Sequence, residues 1–259
     1  MSETALTYKE TTTKDLSKFY KLERTIHHLS ARPVIGIGIA AIFLSLVWLA
    51  THTITAGVEN QALIVAAGVI GGYMALNIGA NDVANNVGPA FGAKSLTMVG
   101  ALIIAGIFET AGAVIAGGDV VQTISKGIID PDLILDTDTF LWAMMSAMLA
   151  AALWINFATY FGAPVSTTHS IVGAIVGFAA VGVGMDAVNW GKVGNIVASW
   201  VTSPLLAGFI SFALIKSVQK LVLNQDDPFQ RAKRVVPFYM FLVGFAITAV
   251  TLLKGLKHI

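Results

Sequence analysis

Seven long apolar segments constrain the fold of this chain more than any other feature. A helix needs about 20 mainly apolar residues to cross the hydrocarbon core of a bilayer. The segments of about that length are 34–52, 61–80, 95–116, 140–161, 168–185, 195–216 and 235–253. Only 12% of the 259 residues are charged, about half of the fraction usual in a soluble domain. This pattern predicts an all-α, polytopic membrane helix bundle.

Composition and the lack of catalytic motifs exclude several function classes. The net charge is +1, so the chain as a whole lacks the basic excess typical of nucleic-acid-binding proteins. It contains no cysteine, which rules out disulfides, thiolate chemistry and cysteine metal sites. The sequence also lacks a Gly-Lys-Ser/Thr phosphate loop, a His-Glu-x-x-His motif and a Gly-x-Ser-x-Gly motif. We therefore expect no nucleic-acid partner and no enzymatic activity.

Polar stretches divide the chain into regions. Residues 1–33 mix Lys, Glu, Thr and Asp without the apolar core of a signal peptide, which predicts a soluble N-terminal extension. A helix at 34–52 follows, and most of the remaining apolar segments lie within 61–216. A polar linker at 217–234 precedes a terminal helix at 235–259. With a cytoplasmic N-terminus and seven crossings, 12 of the 16 Lys and Arg residues fall on the inside, as the positive-inside rule predicts.

The first polar motif, Asn81–Asn86, lies at the end of the second apolar segment, where Gly79 and Pro89 can interrupt the helix. Acidic residues inside membrane segments usually mark ion or proton pathways. Asp82 and Asn85 are three residues apart and share one face if the segment is helical. Carboxylate and amide oxygens suit a small hard cation, so the motif predicts either a sodium site or a proton on Asp82. Alternatively, the asparagines cap a broken helix and hydrogen-bond a neighbouring helix.

The second polar motif begins at Gly162 and Pro164, directly before the short fifth segment. These helix breakers predict that the segment belongs to a broken or re-entrant helix, with its first turn lining a cavity. The polar residues at the start of this helix are Ser166, Thr167, Thr168 and His169. A helix N-terminus presents free N–H groups and partial positive charge, which favours an anion. The alternatives are an ordinary Ser/Thr N-cap and a histidine satisfied within the bundle.

Glu109 is the other acidic residue inside a predicted span, flanked by the small residues Gly106 and Gly112. Small residues allow close helix approach. Glu109 is therefore assigned either to the cation site or to a structural pair with a donor on another helix. Asn77 and Asn156 are weaker candidates for polar site residues.

Three ordered blocks of this sequence resemble inorganic phosphate transporters of the PiT family. Residues 79–85 read Gly-Ala-Asn-Asp-Val-Ala-Asn, which resembles the family signature. Residues 107–112, Ile-Phe-Glu-Thr-Ala-Gly, with 127–130, Gly-Ile-Ile-Asp, resemble its first half, as do residues 164–169, Pro-Val-Ser-Thr-Thr-His. The resemblance implies symport of phosphate with sodium or protons, an inverted-repeat architecture, and 61–216 as the first repeat. It also implies a location in the cell (plasma or inner) membrane.

Carried onto this chain, the resemblance implies a role for each motif. Asn81, Asp82 and Asn85 would bind the coupling cation, with sodium as one candidate, and Glu109 matches a family glutamate tied to transport. Ser166, Thr167 and Thr168, with His169, would bind phosphate. No cofactor is implied beyond the coupling sodium or proton.

The sequence departs from the family by having no second copy of either motif. We therefore expect it to correspond to one half of an inverted-repeat transporter, to be completed by a homo-oligomer or by a missing second repeat. The alternative functions are a permease for sulfate or another oxyanion, and a non-transporting, truncated membrane subunit.

Overall fold

The computed structural model describes Lys21 and residues 33–129 and 137–255. The helices in these ranges are α1 Pro33–Ile54, α2 Gln61–Gly92, α3 Met98–Gly127, α4 Thr137–Tyr160, α5 Thr167–Phe178, α6 Trp190–Val218 and α7 Pro228–Val250. Within the same ranges there is no β-strand, only an isolated bridge between Ile129 and Val188. The predicted all-α class is confirmed. The predicted N-terminal extension lies almost entirely outside the described residues.

Six of the described helices are long and apolar enough to cross a membrane, and α5 is the exception. The 12 residues of α5 span about 18 Å at the usual rise of 1.5 Å per residue, well short of a bilayer core of about 30 Å. A π-helical turn, Ala179–Val183, extends it. This short helix after a non-helical connection agrees with the broken architecture expected for this segment.

Helix α2 is longer than predicted, because it continues without interruption through the Asn81–Asn86 motif to Gly92. The sequence indicated that Gly79 and Pro89 can interrupt it. Pro89 instead lies in the last turn of α2, where its missing N–H removes only one backbone hydrogen bond near the end of the helix. A glycine inside a helix costs only about 1 kcal/mol relative to alanine, which tertiary packing can offset. The motif therefore projects from a regular helix surface.

The chain divides into two compact units. The first contains the described parts of Met1–Phe108 and Asp136–Phe178. In it, α1 packs on α2, α2 on α4, and α4 on α5. Met74 of α2 and Ile155 of α4 belong to its buried core. A Cβ atom at Gly68 would lie 2.7 Å from Thr51 Oγ1, so glycine is required where α1 crosses α2.

The second unit contains the described parts of Glu109–Leu135 and Ala179–Ile259. The backbone N–H of Asn189 donates to the carbonyl of Ile128 at 2.9 Å, beside the bridge between Ile129 and Val188. These bonds connect the chain after α3 to the start of α6. The predicted polar linker 217–234 is largely helical, since α6 continues as a π-helical turn to Leu223 and α7 begins at Pro228.

Candidate functional site

Asn81 joins α2 to the connection between α4 and α5. Its side chain is 6% exposed, and its Nδ2 donates to Thr159 Oγ1 at 2.9 Å and to the carbonyl of Ala163 at 3.1 Å. Its Oδ1 accepts from the backbone N–H of Val165 at 3.0 Å. Both donors and one acceptor position of this amide are therefore satisfied. Asn81 aligns the backbone that leads into α5.

The connection itself turns sharply because α4 ends in a glycine cap. Gly162 has a φ of +66°, which is strained for residues with a side chain. The Ala163 N–H donates to the Ala158 carbonyl and the Gly162 N–H to the Thr159 carbonyl, each at 2.9 Å. This pair of bonds is the Schellman arrangement. Pro164 then prevents the helix from continuing.

Ser166 is the N-cap of α5. Its Oγ accepts from the His169 N–H at 3.2 Å, and its carbonyl accepts the first helical bond from the Ser170 N–H at 3.0 Å. This geometry matches the capping alternative raised from the sequence. The cap bond satisfies one of the N–H groups that an anion would otherwise use.

Asp82 and Thr167 meet directly, although the sequence assigned them to different sites. Thr167 Oγ1 donates to Asp82 Oδ2 at 3.1 Å, and both side chains are half-buried. A carboxylate beside a helix N-terminus is stabilised by the partial positive charge of that terminus. The predicted cation ligand and the first residue of the predicted anion-binding turn are therefore a single hydrogen-bonded pair.

The other proposed site residues are more exposed. The Asn85 side chain makes a long bond of 3.4 Å to the Asn81 carbonyl. Thr168 and His169 are exposed on the first turn of α5, and Glu109 is exposed on α3 in the second unit. The first unit thus brings together Asn81, Asp82, Ser166 and Thr167, with the remaining candidates at its surface or in the other unit.

A cleft of about 280 Å³ lies beside Asn81. It is lined by both helices and the connection, including Asn85, Thr159 and Pro164. Since a water occupies about 30 Å³ in the liquid, the cleft can hold a small hydrated ion. Among the described residues, no cluster of three His, Cys, Asp or Glu side chains is placed to hold a metal.

Thr159 was not predicted to be a site residue, and Asn77 and Asn156, weaker candidates from the sequence, form a partly buried polar contact. Asn156 Nδ2 donates to Asn77 Oδ1 at 2.8 Å, and Asn77 Nδ2 donates to the Tyr73 carbonyl at 2.8 Å. With the bond between Asn81 and Thr159, this makes two polar contacts one turn apart between α2 and α4. The signal was present in the spacing, because Asn77 and Asn81 are four residues apart and Asn156 and Thr159 three apart.

Comparison with known proteins shows a family match over the part of the chain that contains both motifs. The profile of the phosphate transporter family matches residues 78–259. A protein named "Putative phosphate permease" from Helicobacter pylori strain J99 is 44% identical over 84% of this chain and 42% of its own length. One of the same name from Haemophilus influenzae is 45% identical over 74% of this chain and 46% of its own length. The chain spans less than half the length of these relatives.

A solved structure shows the same fold. It is described as "The sodium-dependent phosphate transporter" and matches with a TM-score of 0.71 and 41% identity, covering 76% of this chain and 49% of its own. Because this family comprises transporters, the prediction that the chain is not an enzyme is confirmed. The six long apolar helices among the described residues of this chain agree with a multi-pass protein of the cell membrane. The chain belongs to the phosphate transporter family.

Proposed function

We propose that this chain takes part in the transport of inorganic phosphate across the membrane, coupled to a cation that enters at Asp82. Family membership and the names of the relatives support phosphate as the substrate. The structural neighbour is named as sodium-dependent, which favours sodium over the proton as the coupling ion. The observation that carries the proposal is the hydrogen bond from Thr167 to Asp82.

This bond gives a physical reason for coupling. As long as Asp82 is charged and accepts from Thr167, it occupies the hydroxyl that a phosphate would need and repels the anion. An anion bound at the same helix end would lie about 6 Å from the carboxylate, where like charges repel by roughly 3 kcal/mol at an effective dielectric constant of 20. A cation at Asp82 cancels this repulsion and releases the Thr167 hydroxyl.

Each ligand therefore improves the site for the other, as reciprocal linkage requires. A coupling free energy of about 3 kcal/mol corresponds to roughly a 100-fold change in affinity. In this scheme Asp82 and Asn85 contact the cation, and Asn81 contributes its remaining acceptor position while it aligns the connection. Thr167, Thr168 and His169 bind phosphate at the start of α5, where Ser166 caps the helix. Glu109, on α3 in the second unit, is a further proposed cation-binding residue.

Uptake into proteoliposomes tests the proposal. Because the chain covers less than half of each relative's length, it is reconstituted alone and together with the second half of the Haemophilus influenzae relative. We expect sodium-stimulated uptake of labelled phosphate in at least one preparation, and its loss in Asp82→Asn. Preferential uptake of labelled sulfate would overturn the substrate assignment, and uptake in neither preparation would favour a non-transporting subunit.

A further inference from the structure

The segment that joins α6 to α7 is strongly basic. Between positions 216 and 234 the sequence has two acidic residues, Asp226 and Asp227, against five basic ones, which leaves a net charge of +3. The basic residues are Lys216, Lys220, Arg231, Lys233 and Arg234. The whole chain has 16 basic and 15 acidic residues, so the 11 basic and 13 acidic residues outside this segment carry a net charge of −2.

This basic segment lies at the ends of two membrane-spanning helices. Lys216 is in the last turn of α6, and α7 begins at Pro228 and turns apolar from Val235 onward. The segment is therefore held at a membrane surface. Basic clusters directly beside a spanning helix attract anionic lipids, by about 1 kcal/mol for each Lys or Arg.

Arg231 and Arg234 line a cleft of about 220 Å³ at the start of α7, together with Asp226 and Asp227. They are three residues apart, so both side chains lie on one face of the helix. Asp227 Oδ1, also in the cleft, accepts from the Gln230 N–H at 3.0 Å as the N-cap. Within the described ranges neither guanidinium forms an ion pair, and both side chains are exposed. Paired guanidinium groups suit the bidentate binding of a phosphate group.

Exposed apolar side chains accompany the basic ones. Phe229 is 68% exposed, and the Nζ of Lys233 lies 4.4 Å from the centre of its ring. Leu221 and Leu223 are also exposed on the preceding turn. A surface that combines apolar side chains with cationic groups fits the boundary between acyl chains and headgroups. A free phosphate ion would make no favourable contact with these apolar side chains.

We propose that this surface, centred on the cleft at Arg231 and Arg234, binds the phosphate headgroup of an anionic phospholipid in the adjacent leaflet. The two arginines contact the headgroup phosphate, and Lys216, Lys220 and Lys233 supply the surrounding positive potential. Phe229 and the two leucines contact the upper acyl chain. This lipid site is separate from the proposed transport site and does not depend on it.

Native mass spectrometry of the purified full chain in detergent tests this proposal. Phosphatidylglycerol and phosphatidylcholine with identical acyl chains are titrated, and the fraction of lipid-bound protein is measured. We expect wild type to retain phosphatidylglycerol in preference to phosphatidylcholine. Arg231→Gln/Arg234→Gln should weaken phosphatidylglycerol binding by about 30-fold, and the single Arg234→Gln by about fivefold, which keeps the test valid if the double variant loses helicity.

Two controls separate a specific surface from general charge. Lys94→Gln/Lys192→Gln removes two exposed basic residues outside the segment and should leave phosphatidylglycerol affinity unchanged. Arg231→Lys/Arg234→Lys keeps the charge and should retain most of the affinity. Equal binding of the two lipids, or equal loss in the Lys94/Lys192 control, would overturn the proposal. Displacement of the lipid by millimolar inorganic phosphate would also overturn it and assign the cleft to the free ion.

Discussion

Replacing Asn81 by alanine should loosen the connection before α5 while α2 remains a helix. The substitution removes hydrogen bonds to Thr159, to the Ala163 carbonyl and to the Val165 N–H. A hydrogen bond contributes about 0.5–1.5 kcal/mol net in soluble proteins and about 0.6 kcal/mol between membrane helices. Three bonds thus contribute roughly 2–3 kcal/mol. The higher helix propensity of alanine offsets about 0.5 kcal/mol of this loss, so we expect the free energy of unfolding to fall by about 2 kcal/mol.

Two measurements on purified protein in detergent check this value. Denaturant unfolding gives the global loss in free energy of unfolding. Hydrogen–deuterium exchange reports the local effect, because the Val165 N–H donates to the side chain that is removed. A local loss of about 1 kcal/mol should accelerate exchange of that amide about fivefold, whereas peptides from the α4 core around Ala151 and Ile155 should change less.

Asn85→Ala is the matched control, because it removes the same side chain from the same helix one turn away. Asn85 is exposed and makes a 3.4 Å bond to its own helix, so its removal should change stability by less than about 0.5 kcal/mol. If the Asn81 and Asn85 variants unfold alike and leave Val165 exchange unchanged, Asn81 does not align the connection and the reasoning is wrong.

Two further substitutions test the site and its backbone. Thr167→Val removes the hydroxyl that donates to Asp82 with little change in side-chain shape, and should reduce the sodium dependence of phosphate binding about tenfold. Thr168→Val should lower phosphate affinity at every sodium concentration without changing the sodium dependence. Phosphate-binding curves at several sodium concentrations distinguish the two variants. Gly162→Ala places a side chain at a φ of +66° and should lower the free energy of unfolding by about 1–2 kcal/mol. Gly177→Ala, in α5 with open space around it, should be neutral or stabilising by up to about 1 kcal/mol in the same unfolding assay.

The architecture was predictable from the sequence because bilayer thickness sets a helix length that can be counted. The helices α1, α4 and α6 lie close to the predicted spans. The motif residues were also identifiable, since Asp82 is costly inside an apolar segment. Local rules further allowed Ser166 to be an N-cap, which the structure shows.

What the sequence could not predict depends on contacts between distant segments. Asp82 and Thr167 are 85 residues apart, and no local pattern states that they share a hydrogen bond. The uninterrupted course of α2 past Gly79 and Gly88 likewise depends on packing against α1 and α4, which offsets a weak local preference. The contact between Thr159 and Asn81 arises from the packing of α2 on α4, and the glycine turn at Gly162 brings the Ala163 carbonyl and the Val165 N–H back toward Asn81.

The proposed coupling is tested most directly by the phosphate affinity of wild type and of Asp82→Asn, each measured with and without sodium. Radiolabelled phosphate binding is measured in the preparation that supports uptake, at constant ionic strength, with choline replacing sodium. We predict that sodium raises the affinity of wild type by roughly 100-fold, because it cancels a repulsion of roughly 3 kcal/mol between Asp82 and the bound anion. Sodium should raise the affinity of Asp82→Asn by less than about threefold, since the neutral amide does not repel phosphate. An equal sodium effect in both proteins would contradict a coupling cation at Asp82.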